Sequence, residues 1–162
     1  MFPQDVETAA RAVLDRARVR GWMITTAESC TGGLVAGALT EIAGSSEVVD
    51  RGFVTYSNAA KTALVGVDAA LIERVGAVSQ EVARAMAEGA LARSDAALSV
   101  AITGIAGPGG GSTDKPVGLV WFATATRNGE TLSLRCDFGD IGRSAVRTSA
   151  VRQALDLLIE RL

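Results

Sequence analysis

Short β-branched runs alternate with longer, Ala-rich stretches of helical spacing, and this alternation leaves few folds open to the chain. Val6 to Val19 places Val6, Ala9, Ala10, Val13, Leu14 and Ala17 on one helical stripe, with Asp5 as the expected cap and Gly21 as the stop. Trp22 to Thr26 reads as a strand. Thr31 to Ala43 reads as a helix ended by Gly44. Arg51 to Ser57 is a second strand, and Asn58 to Leu64 and Asp68 to Arg74 are two short helices. Ser79 caps an Ala-rich helix, Gln80 to Arg93, and Ala96 to Thr103 is a buried-looking strand. Val117 to Thr126 and Glu130 to Phe138 are strands joined by Arg127-Asn128-Gly129, and Asn-Gly between strand runs marks a hairpin. Ser144 to Leu162 closes the chain as an amphipathic helix. Helix and strand alternate until a hairpin appears near the end. That order predicts an α/β layered fold with a mixed, mostly parallel sheet and one antiparallel member. The 162 residues show no linker or internal repeat, so a single domain is expected.

Composition narrows the function. Hydrophobic residues make up 48% and charged residues 21%, the balance of a packed globular protein. The net charge is −2 and no basic run stands out, which argues against a nucleic-acid partner. A small anionic ligand stays possible, because a few Arg side chains or backbone N–H groups suffice locally. No apolar run has the length of a membrane span, and no signal peptide is visible at the N-terminus. The two cysteines, Cys30 and Cys136, are too few for a disulfide framework and suit a reducing compartment. A soluble cytoplasmic protein without a membrane partner is expected.

There is no histidine. A Ser-His-Asp triad, a Cys-His dyad and a His-ligated zinc are therefore impossible within the chain, and a catalytic metal is not expected. Fourteen of the 16 basic residues are Arg, which leaves only Lys61 and Lys115, and Tyr56 is the one tyrosine. Acid–base chemistry must come from carboxylates, Lys, Tyr or Cys. A desolvated Lys can lose its proton near neutral pH, whereas Arg cannot.

Four segments carry candidate chemistry. Ala27-Glu28-Ser29-Cys30-Thr31-Gly32-Gly33 runs from a strand into a helix, where a Ser nucleophile and free N–H groups can sit side by side. The plain alternative is that Ser29 or Thr31 caps the helix and Gly32 and Gly33 let it pack. Glu28 reads as a solvated first-turn carboxylate. Cys30 is either a core filler or a rival nucleophile with a lowered pKa. Thr55 to Lys61 also runs from strand to helix, and Tyr56 and Lys61 can converge across the turn. There a buried Lys can serve a Ser as base, with Tyr56 assisting. Thr103 to Lys115 is a glycine-rich loop after a strand end, where α/β sheets bind ligands and bare amides can cradle phosphate. It is neither a Walker A motif nor a dinucleotide fingerprint. Arg143 and Arg147 lie four apart and can clamp an anion, or they can be solvated helix arginines.

Taken in order, AESCTGG, GFVTYSNAAK, TGIAGPGGG…KPVGLVWFA and a terminal R-S-A-V-R helix resemble the family of the C-terminal domain of the competence/damage-inducible protein CinA. The resemblance runs from about Val6 to the C-terminus. It implies a three-layer α/β/α sandwich with a mixed five-stranded sheet, a homodimer, and cofactor-free hydrolysis of nicotinamide mononucleotide to nicotinate mononucleotide and ammonia. It places the family's catalytic Ser, Tyr and Lys on Ser29, Tyr56 and Lys61. Substrate-binding roles then fall to Cys30, Thr31, Gly32, Gly33, Thr103, Gly104, Gly107, Gly109, Gly110, Arg143 and Arg147. Family members often read G-D-R before the last helix, whereas Ile141 and Gly142 here separate Gly139-Asp140 from Arg143. Larger members carry a further N-terminal domain, and no activity of that domain is expected here. A non-catalytic nucleotide-binding module of the same fold and a Cys30 nucleophile are the competing readings.

Overall fold

A computed structural model describes residues Met1–Leu162. The chain runs α1 (Gln4–Arg20), β1 (Ile24–Glu28), α2 (Leu34–Thr40), a 3-10 turn (Ser45–Glu47), β2 (Val49–Val54), α3 (Asn58–Val65), α4 (Ala69–Val75), α5 (Gln80–Ala92), β3 (Leu98–Gly104), β4 (Leu119–Thr126), β5 (Thr131–Asp137) and α6 (Arg143–Arg161). The strands form one sheet in the order β2-β1-β3-β4-β5. β1 pairs in parallel with β2 and β3, while β4 runs antiparallel to β3 and to β5. Four strands therefore share a direction and β4 opposes them, as the order of sequence patterns predicts.

Apolar side chains cover both faces of the sheet. On one face, Leu14 of α1, Leu39 of α2 and Leu155 of α6 pack with Ile24, Val100 and Phe122. On the other, Val65, Ile72 and Met86 from α3, α4 and α5 meet Ala27, Ala101 and Ala123. This two-sided burial explains why β3 reads as a near-continuous apolar run, since six of its residues are buried. Its two hydroxyls on the α5 side are closed within the protein: Ser99 donates to the Ala87 carbonyl and Thr103 to the Ala77 carbonyl, each at 2.8 Å. No helix is long and apolar enough to cross a membrane.

Three local expectations change. The helix expected from Thr31 starts only at Leu34, because Gly32 and Gly33 take positive φ of 59° and 96° and hold residues 30–33 in a turn. β2 ends at Val54, and Ser57 instead caps α3 by accepting the Ala60 N–H at 3.0 Å. Asp5 is not the cap of α1: Pro3 occupies that position, and the Asp5 carboxylate pairs with Arg152 of α6.

β1 lies between β2 and β3, and the connections leaving β1 and β2 pass over opposite faces. The crevice at the carboxyl end of β1 is thus a topological switch point, the place where open α/β sheets bind ligands. The turn after β1, the segment after β2, the glycine-rich loop after β3 and the start of α6 after β5 all emerge at this edge.

Candidate active site

Ser29 follows β1 directly and extends its pairing, its N–H donating to the Ile102 carbonyl at 2.9 Å. The chain then turns tightly, with the Gly32 N–H closed on the Ser29 carbonyl at 3.0 Å. The N–H groups of Cys30, Thr31 and Gly33 have no acceptor within the protein. Glu28 departs from the sequence expectation of a solvated carboxylate. It is 1% exposed and accepts the N–H groups of Val35 at 2.9 Å and Ala36 at 3.0 Å, with the Thr26 hydroxyl at 3.2 Å. A strand residue thereby satisfies the first N–H groups of α2, and its own burial is offset by those bonds.

Lys61 lies one turn into α3, on the same face as buried Val65. It is 2% exposed. Its Nζ is 3.0 Å from Ser29 Oγ and donates to the Thr55 carbonyl at 3.0 Å. No ion pair of the protein includes it. Burial lowers its pKa from the ordinary 10.5, because desolvation penalises the charged ammonium. A neutral amine fits this geometry: one N–H is held by Thr55, and the lone pair is available to a Ser29 hydroxyl proton.

Cys30, next to Ser29, is 5% exposed and packs in the core. Burial pushes its thiol up to about 12. It therefore stays protonated at neutral pH and is no thiolate nucleophile.

The sequence allowed Tyr56 and Lys61 to converge. Tyr56 is 60% exposed, and its phenol oxygen accepts from Arg143 Nη2 at 2.9 Å. Arg143 Nη1 donates to the Gly107 carbonyl at 2.9 Å, so one guanidinium ties the β2–α3 segment to the glycine-rich loop. Arg147 is turned to the backbone of the Ser29 turn, with Nε on the Cys30 carbonyl and Nη2 on the Thr31 carbonyl, both at 3.1 Å. These bonds use Nε and Nη2, and Nη1 has no partner within the protein.

The glycine-rich residues divide into two sets. Thr103 is 1% exposed with its hydroxyl on Ala77, and a Cβ on Gly104 would meet Val120 and the Leu119 carbonyl within 3.0 Å. Both serve the packing of β3. Gly109 and Gly110 are exposed and Gly107 is buried, and the N–H groups of these three and of Gly111 have no acceptor in the protein. A groove of about 680 Å³ is lined by Gly109, Gly110 and Gly111 of this loop together with Asp137 and Asp140, and its lining includes no Lys or Arg. Neither Ser29 nor Lys61 lines that groove. Its carboxylates do not suit a phosphate.

Two structural contributors were not singled out from sequence. Thr55 supplies the carbonyl that orients Lys61, a backbone contact without any sequence signal. Lys115 anchors the glycine-rich loop by donating to the Val75 carbonyl at 2.7 Å. Its rarity among 14 arginines was the available hint.

The sequence matches the model of the CinA C-terminal domain over residues 6–162. The chain is 54% identical over 142 residues to nicotinamide-nucleotide amidohydrolase PncC of Escherichia coli (strain K12), covering 87% of this chain and 85% of that protein. The same protein name belongs to a relative from Enterobacter agglomerans, 54% identical over 134 residues, 82% of this chain and 80% of the relative. Among solved structures, the competence/damage inducible protein CihA from Agrobacterium tumefaciens superposes with a TM-score of 0.97 at 57% identity, covering 99% of this chain and 97% of that one.

Proposed function

The chain belongs to the CinA C-terminal domain family, and on that premise we propose that it is a nicotinamide-nucleotide amidohydrolase that works through a Ser29–Lys61 pair. The observation that carries this reading is the 3.0 Å contact between Ser29 Oγ and the Nζ of Lys61, a buried lysine outside any ion pair, in a chain without histidine. The relatives named nicotinamide-nucleotide amidohydrolase supply the substrate class.

Ser29 Oγ attacks the carboxamide carbon of nicotinamide mononucleotide as Lys61 Nζ takes the hydroxyl proton. The free N–H groups of Cys30 and Gly33, in the turn after Ser29, receive the oxygen that becomes negative. Collapse of the tetrahedral adduct breaks the C–N bond, and Lys61 returns its proton to the leaving nitrogen, which departs as ammonia. Water then attacks the Ser29 ester, again giving a proton to Lys61, and the acyl–Oγ bond breaks to release nicotinate mononucleotide as Lys61 returns that proton to Ser29 Oγ. The 5′-phosphate falls to the side of the glycine-rich loop that Arg143 bridges to Tyr56 through the Gly107 carbonyl, with the Arg143 guanidinium as the cation there. In this reading the 162 residues act as one domain, in a cytoplasmic homodimer that recycles pyridine nucleotides.

Ammonia release from nicotinamide mononucleotide tests the proposal. Wild type and Cys30→Ala are expected to be active, while Ser29→Ala and Lys61→Met lose on the order of 10³-fold or more. A folded wild type that binds the nucleotide and releases no ammonia would leave a binding module in place of the enzyme. Light scattering on the eluting protein checks the dimer.

A further inference from the structure

Lys61 Nζ lies 3.0 Å from Ser29 Oγ, yet no carboxylate is within ion-pairing distance of it. The charged groups of the elements around it are engaged elsewhere or turned to solvent. At the end of β1, Glu28 spends its carboxylate on the Val35 and Ala36 N–H groups, and the Cys30 thiol after it keeps its proton. Asp50 and Arg51 of β2 pair with each other. Asp68, Glu73 and Arg74 around α4 are exposed, as are Glu81 and Glu88 of α5. Arg84 of α5 donates to the Thr131 carbonyl. From α6, Arg147 binds carbonyls of the Ser29 turn and Arg143 holds Tyr56, so the charges offered from that side are positive.

A buried amine with no fixed counter-charge responds to any charge that enters beside it. The nucleotide brings one. Its pyridinium nitrogen is permanently cationic because the ribose is bonded to it, and it sits three covalent bonds from the carboxamide carbon. Once that carbon is within attacking distance of Ser29 Oγ, the short Oγ–Nζ contact limits how far the ring charge can be from Lys61. Whichever way the ring is turned, its nitrogen stays within about 10 Å of Nζ. At that range two like charges beside a buried site repel by the equivalent of about 1–2 pH units.

We propose that the fixed positive charge of the substrate ring is itself recognised: brought beside Lys61, it holds the amine unprotonated, and the site thereby selects N-substituted pyridinium carboxamides over uncharged aromatic carboxamides of the same shape. A Lys61 that still carries a proton gives it up to solvent as the nucleotide binds, and the base is armed by the substrate it will act on. The inference rests on the amidohydrolase reading and deepens it, by making the charge of the ring and not only its amide a determinant of specificity.

The scarcity of lysine makes the test direct. Isotope labelling of lysine Cε gives NMR signals for Lys61 and Lys115 alone, and Lys61→Met assigns them. The Ser29→Ala protein, which cannot turn the ligand over, is titrated free, with nicotinamide mononucleotide, and with the C-nucleotide in which a neutral benzamide ring replaces nicotinamide. Both ligands carry the same phosphate and carboxamide and exclude water from Lys61 alike, so the difference between them isolates the ring charge. The Lys61 midpoint is expected to lie about 1–2 pH units lower with the nucleotide than with the benzamide ligand, a change of about 10–100-fold in proton affinity. Lys115, bonded to the Val75 carbonyl, should not move. In wild type the acid limb of kcat, which reports the complex, should lie below that of kcat/KM, which reports the free enzyme. Equal Lys61 midpoints with the two ligands would overturn the proposal. A benzamide ligand that does not bind leaves the wild-type profiles to decide, and there coincident acid limbs overturn it. In both cases a wild type that releases ammonia keeps the amidohydrolase reading. A wild type that releases none overturns that reading and this proposal with it.

Discussion

The phenol oxygen of Tyr56 and the guanidinium of Arg143 are joined at 2.9 Å, although 87 residues separate them in sequence. The same guanidinium holds the Gly107 carbonyl. Ile141 and Gly142 precede α6, whose first residue is Arg143. These two residues do not remove Arg143 from the site edge. They deliver it to a bridge between the segment after β2 and the loop after β3.

Breaking that bridge should loosen the loop more than it disturbs the chemistry. Tyr56→Phe and Arg143→Ala are each expected to raise KM for nicotinamide mononucleotide several-fold. The double variant should be little worse than the worse single one, a coupling of about 0.5–1 kcal/mol given the exposure of Tyr56. Steady-state kinetics on the four proteins measure it. Additive losses in kcat, with no coupling, would instead place Tyr56 in proton transfer on its own.

The pH profile follows from Lys61. Its folded pKa lies below 10.5 because burial disfavours the ammonium. As pH falls through that lowered value Lys61 gains a proton and can no longer accept one from Ser29, so activity shows an acid limb at a pH below 10.5. The stability consequence has the same origin. Between the lowered folded pKa and 10.5 the unfolded chain binds more protons than the folded one, so stability rises with pH across that window. Lys61→Met removes the desolvated amine and should melt higher than wild type near neutral pH, by about 2–4 °C for a gain of ~1 kcal/mol. The difference should shrink as pH approaches 10.5. Differential scanning calorimetry across that range checks it, and a Lys61→Met protein that melts lower at every pH would refute a strained Lys61.

Glu28 is expected to matter for stability rather than proton transfer. Glu28→Gln keeps one acceptor oxygen but turns an NH₂ group towards the Val35 or Ala36 N–H. The donor-to-donor clash should cost about 1–3 kcal/mol. Activity should fall only as far as the folded fraction falls. A Glu28→Gln enzyme of full stability and no activity would assign the carboxylate to the chemistry instead.

The layered fold was readable in advance because it rests on periodicity. The stripe Val6, Ala10, Val13, Leu14 and Ala17 is buried as the helical spacing requires, and β3 is covered on both faces as its apolar run requires. The site was readable only where residue type limits chemistry. Without histidine, a Lys was the natural base for a Ser, and rarity drew attention to Lys61. Contacts made through backbone carbonyls left no such mark. Thr55 orienting Lys61 and Arg147 binding Cys30 and Thr31 depend on where the β2 and α6 segments meet the turn, which no local pattern encodes. Glu28 was misread for a related reason: a carboxylate beside a helix start is favoured by the dipole whether exposed or buried, and only the packing of α2 against the end of β1 decides which.

Gly89 gives the sharpest test of how packing sets the site. It lies in the middle of α5 with no positive φ, where Ala would ordinarily stabilise the helix by roughly 1 kcal/mol. Here a Cβ would come within 1.8 Å of the Val65 carbonyl oxygen, at the end of the helix that carries Lys61. Backbone cannot yield as a flexible side chain does, so α3 must shift away from α5, at about 1–3 kcal/mol. The steric cost exceeds the propensity gain, and Gly89→Ala should melt lower than wild type. Movement of α3 also lengthens the contact between Lys61 Nζ and Ser29 Oγ, and misplacement on the order of 1 Å can cost about 10²-fold in rate. The expected variant is folded, less stable, and reduced in kcat at least about tenfold with KM nearly unchanged. Thermal melts and steady-state kinetics read both effects, and a Gly89→Ala protein that is more stable and fully active would show that the α3–α5 crossing does not hold Lys61 in place.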